Sequence, residues 1–365
     1  MTQTTVSASP EGHSTADDAA SIDKSSFHAR EIARHCAAYR EPVVRSALVQ
    51  LANTGLPYLV LCAAMVISTA TGLWWIVPLL SIPAGGLLVR LFIIQHDCGH
   101  GSFLPSKNAN DGVGRILSLL TLTPYESWKR AHALHHASTG DLSRRGTGDI
   151  ATLTVREYLA LPRWSRFRYR LYRNPFLLIG LGSPLNFLLL QRMPFGVGLP
   201  WRTAWRDVVV LDLAIVAVIS ALTFAAGGVL PVLGALVPAV CVAAWIGGWL
   251  FYVQHQYEDT VWEDGEDWDF HAAALGGSSY YVLPAVLQWF TGNVGLHHVH
   301  HLNSRIPNYR LQECIDDHEL LGQVGRLTLR ESVRCLGLAL WDEDARRLVG
   351  FPRIRIGSQT TQSLG

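Results

Sequence analysis

The chain has 365 residues, of which 49% are hydrophobic and 16% charged, against roughly 25% charged in an ordinary soluble domain. The apolar excess excludes a disordered chain, and a formal net charge of +1 gives no support to nucleic-acid binding, which calls for a basic surplus. Fifteen histidines stand beside 29 acidic residues, a second departure that needs a cause.

In chain order, residues 1–26 are rich in Ser, Thr, Ala and Asp. They lack the basic start and apolar core of a secretory signal and read as a solvated tail. Residues 27–45 suggest an amphipathic helix. Phe27, Ile32, Ala33, Cys36 and Ala37 recur near helical spacing with Arg30, Arg34 and Arg40 between them, so it could lie on a membrane surface or pack on the globular part. Between Arg45 and Arg90, 44 residues contain no Asp, Glu, Lys, Arg or His. A spanning helix needs roughly 20 apolar residues, so residues 46–95 are expected to form a transmembrane hairpin. It turns near Thr71–Gly72, with Trp74 and Trp75 as interface anchors.

Residues 96–205 follow as the first part of a cap. Within them, 174–191 is uncharged but only 18 residues long, and Pro175, Gly180, Gly182 and Pro184 interrupt it. A crossing there would place the Arg-rich stretches 129–173 and 302–365 on opposite sides, against the tendency of positive charge to stay cytoplasmic. It is therefore read as re-entrant or interfacial, and Val113–Thr123 as too short to cross. The 42 residues between Asp212 and His255 are again free of charge and His. Residues 206–254 thus form a second hairpin, turning near Gly227–Pro231. Residues 255–350 complete the cap and 351–365 form a tail. The expected fold is an all-α integral membrane protein: four transmembrane helices in two hairpins, with a cytosolic helical cap holding a histidine-rich di-metal site. The arginine bias puts both termini and that site in the cytoplasm, and the short polar tail without a transit peptide suits a bacterial inner membrane. Six cysteines without a CxxC pair fit a reducing compartment.

Nine histidines fall in four places. His96 and His100 are i, i+4. His132, His135 and His136 are i, i+3, i+4, and His297, His300 and His301 repeat that pattern. His255 stands alone in Gln254-His255-Gln256. Residues at these spacings share a helix face, so each cluster can aim its imidazoles at one point. Nine ligands exceed the needs of one metal and imply two. Imidazole sites suit Fe, Zn, Cu or Ni, and zinc lacks redox chemistry, but spacing does not choose among them. Asp97, Cys98 and His298 face elsewhere on such helices, as packing groups or as residues that orient a ligand. His13, His28, His35, His271 and His318 lack the spacing. A non-catalytic metal-binding or electron-carrying membrane protein would place ligands inside the apolar runs, and His, Asp and Glu are absent from both.

The clusters resemble the three histidine boxes of the membrane fatty acid desaturases. The likeness extends to Arg145-Gly146-Thr147-Gly148-Asp149, to Tyr252 through Asp259, and to Asn293 through Asn303 with Pro307-Asn308-Tyr309. The resemblance implies a non-haem di-iron centre held by His96, His100, His132, His135, His136, His255, His297, His300 and His301. It implies O2-dependent insertion of a cis double bond into a fatty acyl lipid or acyl thioester, with hydroxylase or ketolase chemistry as the neighbouring alternative. Asn293 is a candidate near one iron, or else a cap or turn residue. Asp149 either orients a histidine or caps a helix starting near Thr152. Gly146 and Gly148 form a turn that borders the site. Arg144 and Arg145 pair with lipid phosphate or a donor protein, or simply belong to the positive face. Trp128, Trp262, Trp268 and Trp289 line an acyl tunnel or form an aromatic belt. No GxGxxG after a strand, no haem-binding His-Pro-Gly-Gly segment and no iron–sulfur cysteine spacing is present. Two electrons per turnover must then come from an external donor such as ferredoxin or cytochrome b5. A basic face favours an acidic donor.

Overall fold

The computed structural model describes residues 30–352 except Thr147 and Val197. The expected tail 1–26, positions 27–29 and residues 353–365 lie outside the described residues. Four helices carry the apolar runs: α1 (Val44–Ala70), α2 (Val77–His100, led by a tight turn at Trp74–Ile76), α8 (Trp201–Ala225) and α9 (Val229–His255). Their mean hydropathies, counting Trp74–His100 as one span, are 1.6, 2.0, 2.6 and 2.3. At about 1.5 Å per residue each exceeds the roughly 30 Å hydrocarbon core. The protein is an integral membrane protein. The hairpins reverse at Gly72 and Gly227, whose φ values of +83° and +70° favour a residue without Cβ.

Close approach of the spans depends on small residues, as it does where lipid removes any hydrophobic drive between helices. α2 runs through the middle of the bundle, against α1 and α9. A Cβ on Gly85 would lie 2.5 Å from Val242 and 3.0 Å from the Ala243 backbone, and one on Gly234 would lie 2.2 Å from the Trp74 ring.

Between the hairpins lie α3 (Lys107–Thr121), α4 (Tyr125–Ser138), β1 (Leu153–Thr154), α5 (Val155–Ala160), α6 (Arg163–Tyr172) and α7 (Ser183–Leu188). After the second hairpin come α10 (Phe270–Gly276), β2 (Tyr280–Val282), α11 (Ala285–Phe290), α12 (His297–Leu302), α13 (Leu311–Asp316), β3 (Arg326–Thr328), β4 (Leu340–Asp342) and β5 (Arg347–Val349). β1 pairs in parallel with β4, which pairs antiparallel with β5, and β2 pairs in parallel with β3. These strands of two or three residues qualify the all-helical expectation. At that length no alternation of apolar and polar residues can announce them.

Two local expectations change, and segment 174–191 takes a definite local form. The helix expected over 27–45 is helical over 30–36 with a tight turn at Ala37–Tyr39. It buries Ile32, Cys36 and Tyr39 against Val299, Leu302 and Cys314, so it packs on the cap, and α1 begins afresh at Val44. The helix expected near Thr152 starts at Val155. Thr154 caps it, its Oγ1 accepting from Glu157 N at 3.2 Å while Glu157 Oε2 accepts from Thr154 N at 2.8 Å, so Asp149 is not its cap. Segment 174–191 is a π-helical turn (Phe176–Gly182), then α7, then a tight turn at Leu190–Arg192. It lies along α9, where Trp245 Nε1 donates to Gly180 O at 2.8 Å.

The Gly85 notch sets a stability test. Gly85→Val should overpack the α2–α9 contact at a cost of about 1–3 kcal/mol, read as a lower thermal midpoint in detergent than the wild type.

Candidate metal centre

Four elements deliver the nine imidazoles. The last turn of α2 carries His96 and His100, α4 carries His132, His135 and His136, α9 ends on His255, and α12 carries His297, His300 and His301. They converge as two groups. His96, His100, His132, His136 and His300 form one; His135, His255, His297 and His301 form the other. Within each group the ligand nitrogens lie within 4.8 Å of one another. The two HxxHH helices therefore split their side chains: α4 gives two to the first group and one to the second, and α12 the reverse.

The nitrogen geometry fits metal ions. His132 Nε2 lies 3.1 Å from both His100 Nε2 and His136 Nε2, and His136 Nε2 is 3.1 Å from His300 Nε2. In the second group His297 Nε2 lies 3.0 Å from both His255 Nε2 and His301 Nε2. A neutral ring nitrogen has either one proton or one lone pair, so it can join only one of two such contacts as a hydrogen bond. Lone pairs facing a common cation satisfy all of them. Two imidazoles at right angles around a metal at about 2.1 Å would sit about 3.0 Å apart. His135 Nε2 is buried with no protein partner.

The outer nitrogens are held so that Nε2 faces inward. His135 Nδ1 meets Asp149 Oδ1 at 2.5 Å, His96 Nδ1 meets Asp97 Oδ1 at 3.1 Å, and His255 Nδ1 meets Gly277 O at 3.0 Å. Such partners fix the tautomer and ring orientation of a ligand. Burial, and then neighbouring imidazoles, holds His132, His136, His297, His300 and His301 well below the usual histidine pKa. They are neutral at physiological pH, which is the form that binds metal.

Asp97 has a second task. Its Oδ2 accepts from Asn308 N at 2.6 Å and Asn308 Nδ2 at 2.8 Å, and Gln50 Nε2 donates to Asn308 Oδ1 at 2.7 Å. This buried network ties α1, α2 and the loop after α12 together. Neither residue falls in a metal-ligand pattern: the Pro307-Asn308-Tyr309 run is the sequence signal for Asn308, and Gln50 sits in an apolar run without one. Asn293 is a turn residue: its φ is +59° and its Nδ2 donates to Asn308 O at 2.8 Å. Gly148, at φ +74°, packs against His135, since a Cβ added there would lie 3.2 Å from His135 Cβ. His298 points away, its Nε2 donating to Leu321 O at 2.9 Å. His35 lies against the Cys314 carbonyl and beside the His318 ring, and His271 sits in the first turn of α10.

A cavity of about 950 Å³ reaches the histidines. His96, His132, His135 and His297 border it, and its walls include Phe92, Trp128, Phe187, Val240 and Phe251. Of the four tryptophans noted in the sequence, only Trp128 lines it, stacked on His132 with centroids 4.7 Å apart. Trp262 borders a smaller cavity beside His255, Trp268 donates to Thr139 O and lies under Arg144, and Trp289 lies under Arg90. The cap is also less basic than its arginine count suggests. Arg144 pairs with Asp141, Arg145 with Glu157, Arg156 with Asp344, Arg346 with Glu263 and Arg347 with Glu258.

Comparison with known proteins agrees with this geometry. Residues 37–323 match the family model described as fatty acid desaturase. A "Fatty acid desaturase" of Bacillus subtilis (strain 168) is 41% identical over 339 residues, covering 89% of this chain and 92% of that one. The "sn-1 oleoyl-lipid 12-desaturase" of Synechocystis sp. is 27% identical, covering 66% of this chain and 67% of that one. The "sn-1 acyl-lipid omega-3 desaturase (ferredoxin)" of the same organism is 27% identical, covering 67% of each.

The Asp149–His135 contact predicts a specific loss. Asp149→Ala should weaken one of the bound metal ions by about 10–100-fold and leave the other, read as metal content per chain after equilibrium dialysis.

Proposed function

The chain belongs to the fatty acid desaturase family, and from that premise we propose that its nine imidazoles hold two iron ions while the cavity holds a saturated stretch of an acyl chain attached to membrane lipid. The observation that carries this reading is that members of both histidine groups, His96 and His132 of one and His135 and His297 of the other, border one mostly apolar cavity. Bound iron supplies redox chemistry: with O2 and two external electrons, two hydrogens leave adjacent carbons as a cis double bond forms, and with two further protons O2 ends as two waters. Zinc could not do so.

The chain's residues have the remaining work. His96, His100, His132, His136 and His300 bind at one position, and His135, His255, His297 and His301 at the other. Asp149, Asp97 and the Gly277 carbonyl keep their histidines in one tautomer. Phe92, Trp128 and Phe251 exclude water and restrict the acyl chain beside His132 and His135, which gives positional selectivity a steric basis. Acyl lipid is favoured over an acyl thioester because relatives are named for acyl-lipid substrates. A ferredoxin-type donor is supported by a relative whose name includes ferredoxin, with cytochrome b5 the alternative. The arginines of α6 and the C-terminal half support a cytoplasmic cap.

Expression in a host lacking the activity tests the reading. The wild type should yield lipid acyl chains lighter by two hydrogens, and a gain of oxygen would instead indicate a hydroxylase. His300→Ala should abolish the product while the protein remains in the membrane.

A further inference from the structure

α6 has the sequence Arg163-Trp-Ser-Arg-Phe-Arg-Tyr-Arg-Leu-Tyr172. Its inner side is fixed: Tyr169 is buried, and its hydroxyl donates to Ala339 O at 2.7 Å. Its outer side is unusual for a surface helix. Trp164 is 66% exposed, Phe167 52% and Leu171 48%. At 3.6 residues per turn, Trp164, Phe167, Arg168 and Leu171 lie on one stripe. A stripe of aromatic and aliphatic side chains interleaved with arginine is the composition of a helix lying in a membrane interface. The chain continues into Phe176, 85% exposed, and Leu181. These belong to the apolar segment along α9, so the stripe is continuous with the lipid-facing surface of the second hairpin.

Arg168 has a further position. It lines the 950 Å³ cavity, where it is the single arginine or lysine among the described residues, with Leu171 and Tyr172 beside it. No side chain among the described residues pairs with it. The Tyr172 hydroxyl accepts from Ala151 N at 3.0 Å, which leaves its own proton free to donate. A cation and a free O–H donor therefore stand together in the lining of a mostly apolar cavity, at the helix whose outer stripe suits a bilayer surface.

We propose that this part of the lining is the headgroup site for the substrate: the phosphate of a membrane glycerophospholipid binds Arg168, with Tyr172 donating beside it, while its acyl chain passes between α6 and the Phe176–Leu188 segment toward the histidines. This rests on the desaturase reading and deepens it by naming the residues that recognise the lipid. Charge complementarity and continuity with the spanning surface favour a phospholipid over a soluble donor protein on this face. Arg suits phosphate through its paired N–H donors.

The test uses purified full-length protein in nanodiscs, with the substrate acyl chain carried either by phosphatidylglycerol or by diacylglycerol, which lacks phosphate. Arg168→Gln should raise KM for phosphatidylglycerol about tenfold, the loss expected for a hydrogen-bonded charge contact. It should leave kcat and the diacylglycerol KM unchanged, and the variant should retain less phospholipid per chain after purification in detergent. Arg334→Gln, an exposed cap arginine that does not line the cavity, should match the wild type. Unchanged KM and unchanged lipid retention in Arg168→Gln would overturn the proposal. So would a raised KM for the electron donor alone, which would make this face a protein-docking site. If the wild type desaturates neither lipid, the desaturase reading fails, and lipid retention still decides this proposal.

Discussion

Nine imidazoles, buried or half-buried and converging as two groups, are the constraint around which the rest is arranged. Buried polar groups cost free energy unless they are partnered, and here ring nitrogens 3.0–3.1 Å apart cannot all partner one another. Two cations relieve that conflict. The requirement explains why α2 and α9 end on ligand residues, and why α4 and α12 each serve both groups. It also explains the buried network of Asp97, Asn308 and Gln50, which fixes the ends of three elements whose misplacement would scatter the ligands.

The same histidines need a dry approach. The cavity that reaches them is walled by α2, α9 and the 174–191 segment. This gives that segment a purpose its composition conceals. It is too short to span, yet it is apolar because it faces both lipid and the cavity. Gly248 lets it sit against α9, since a Cβ there would meet the Ser183 side chain. The glycines at 85, 234 and 248 thus allow close packing around the cavity, each standing where a Cβ would meet a neighbouring side chain.

Much of this was legible in the sequence. Two charge-free runs announced the four spans, and the turns fell at Gly72 and Gly227. The i, i+3, i+4 spacings announced the converging histidines, because helical geometry alone puts those side chains on one face. Their division into five and four was not legible. His132, His135 and His136 share a face, and only the angles at which α2, α9 and α12 approach α4 decide which neighbour each one meets. The partners of Asp149 and Asn293 were open for a related reason: a carboxylate or amide near a turn caps a helix or orients a distant group according to long-range packing. Nor does a charge count show that Arg346 and Arg347 meet Glu263 and Glu258 across more than eighty residues. The headgroup site shows the converse: a ten-residue helix with four arginines reads as plain positive charge until Arg168 is seen on the cavity and Trp164 and Phe167 on the outside.

A structure of the purified protein with anomalous scattering recorded at the iron edge would test whether the imidazoles form two sites. Two peaks are expected, one among His96, His100, His132, His136 and His300 and one among His135, His255, His297 and His301. A single peak, or metal held outside these groups, would contradict the division on which the proposed chemistry rests.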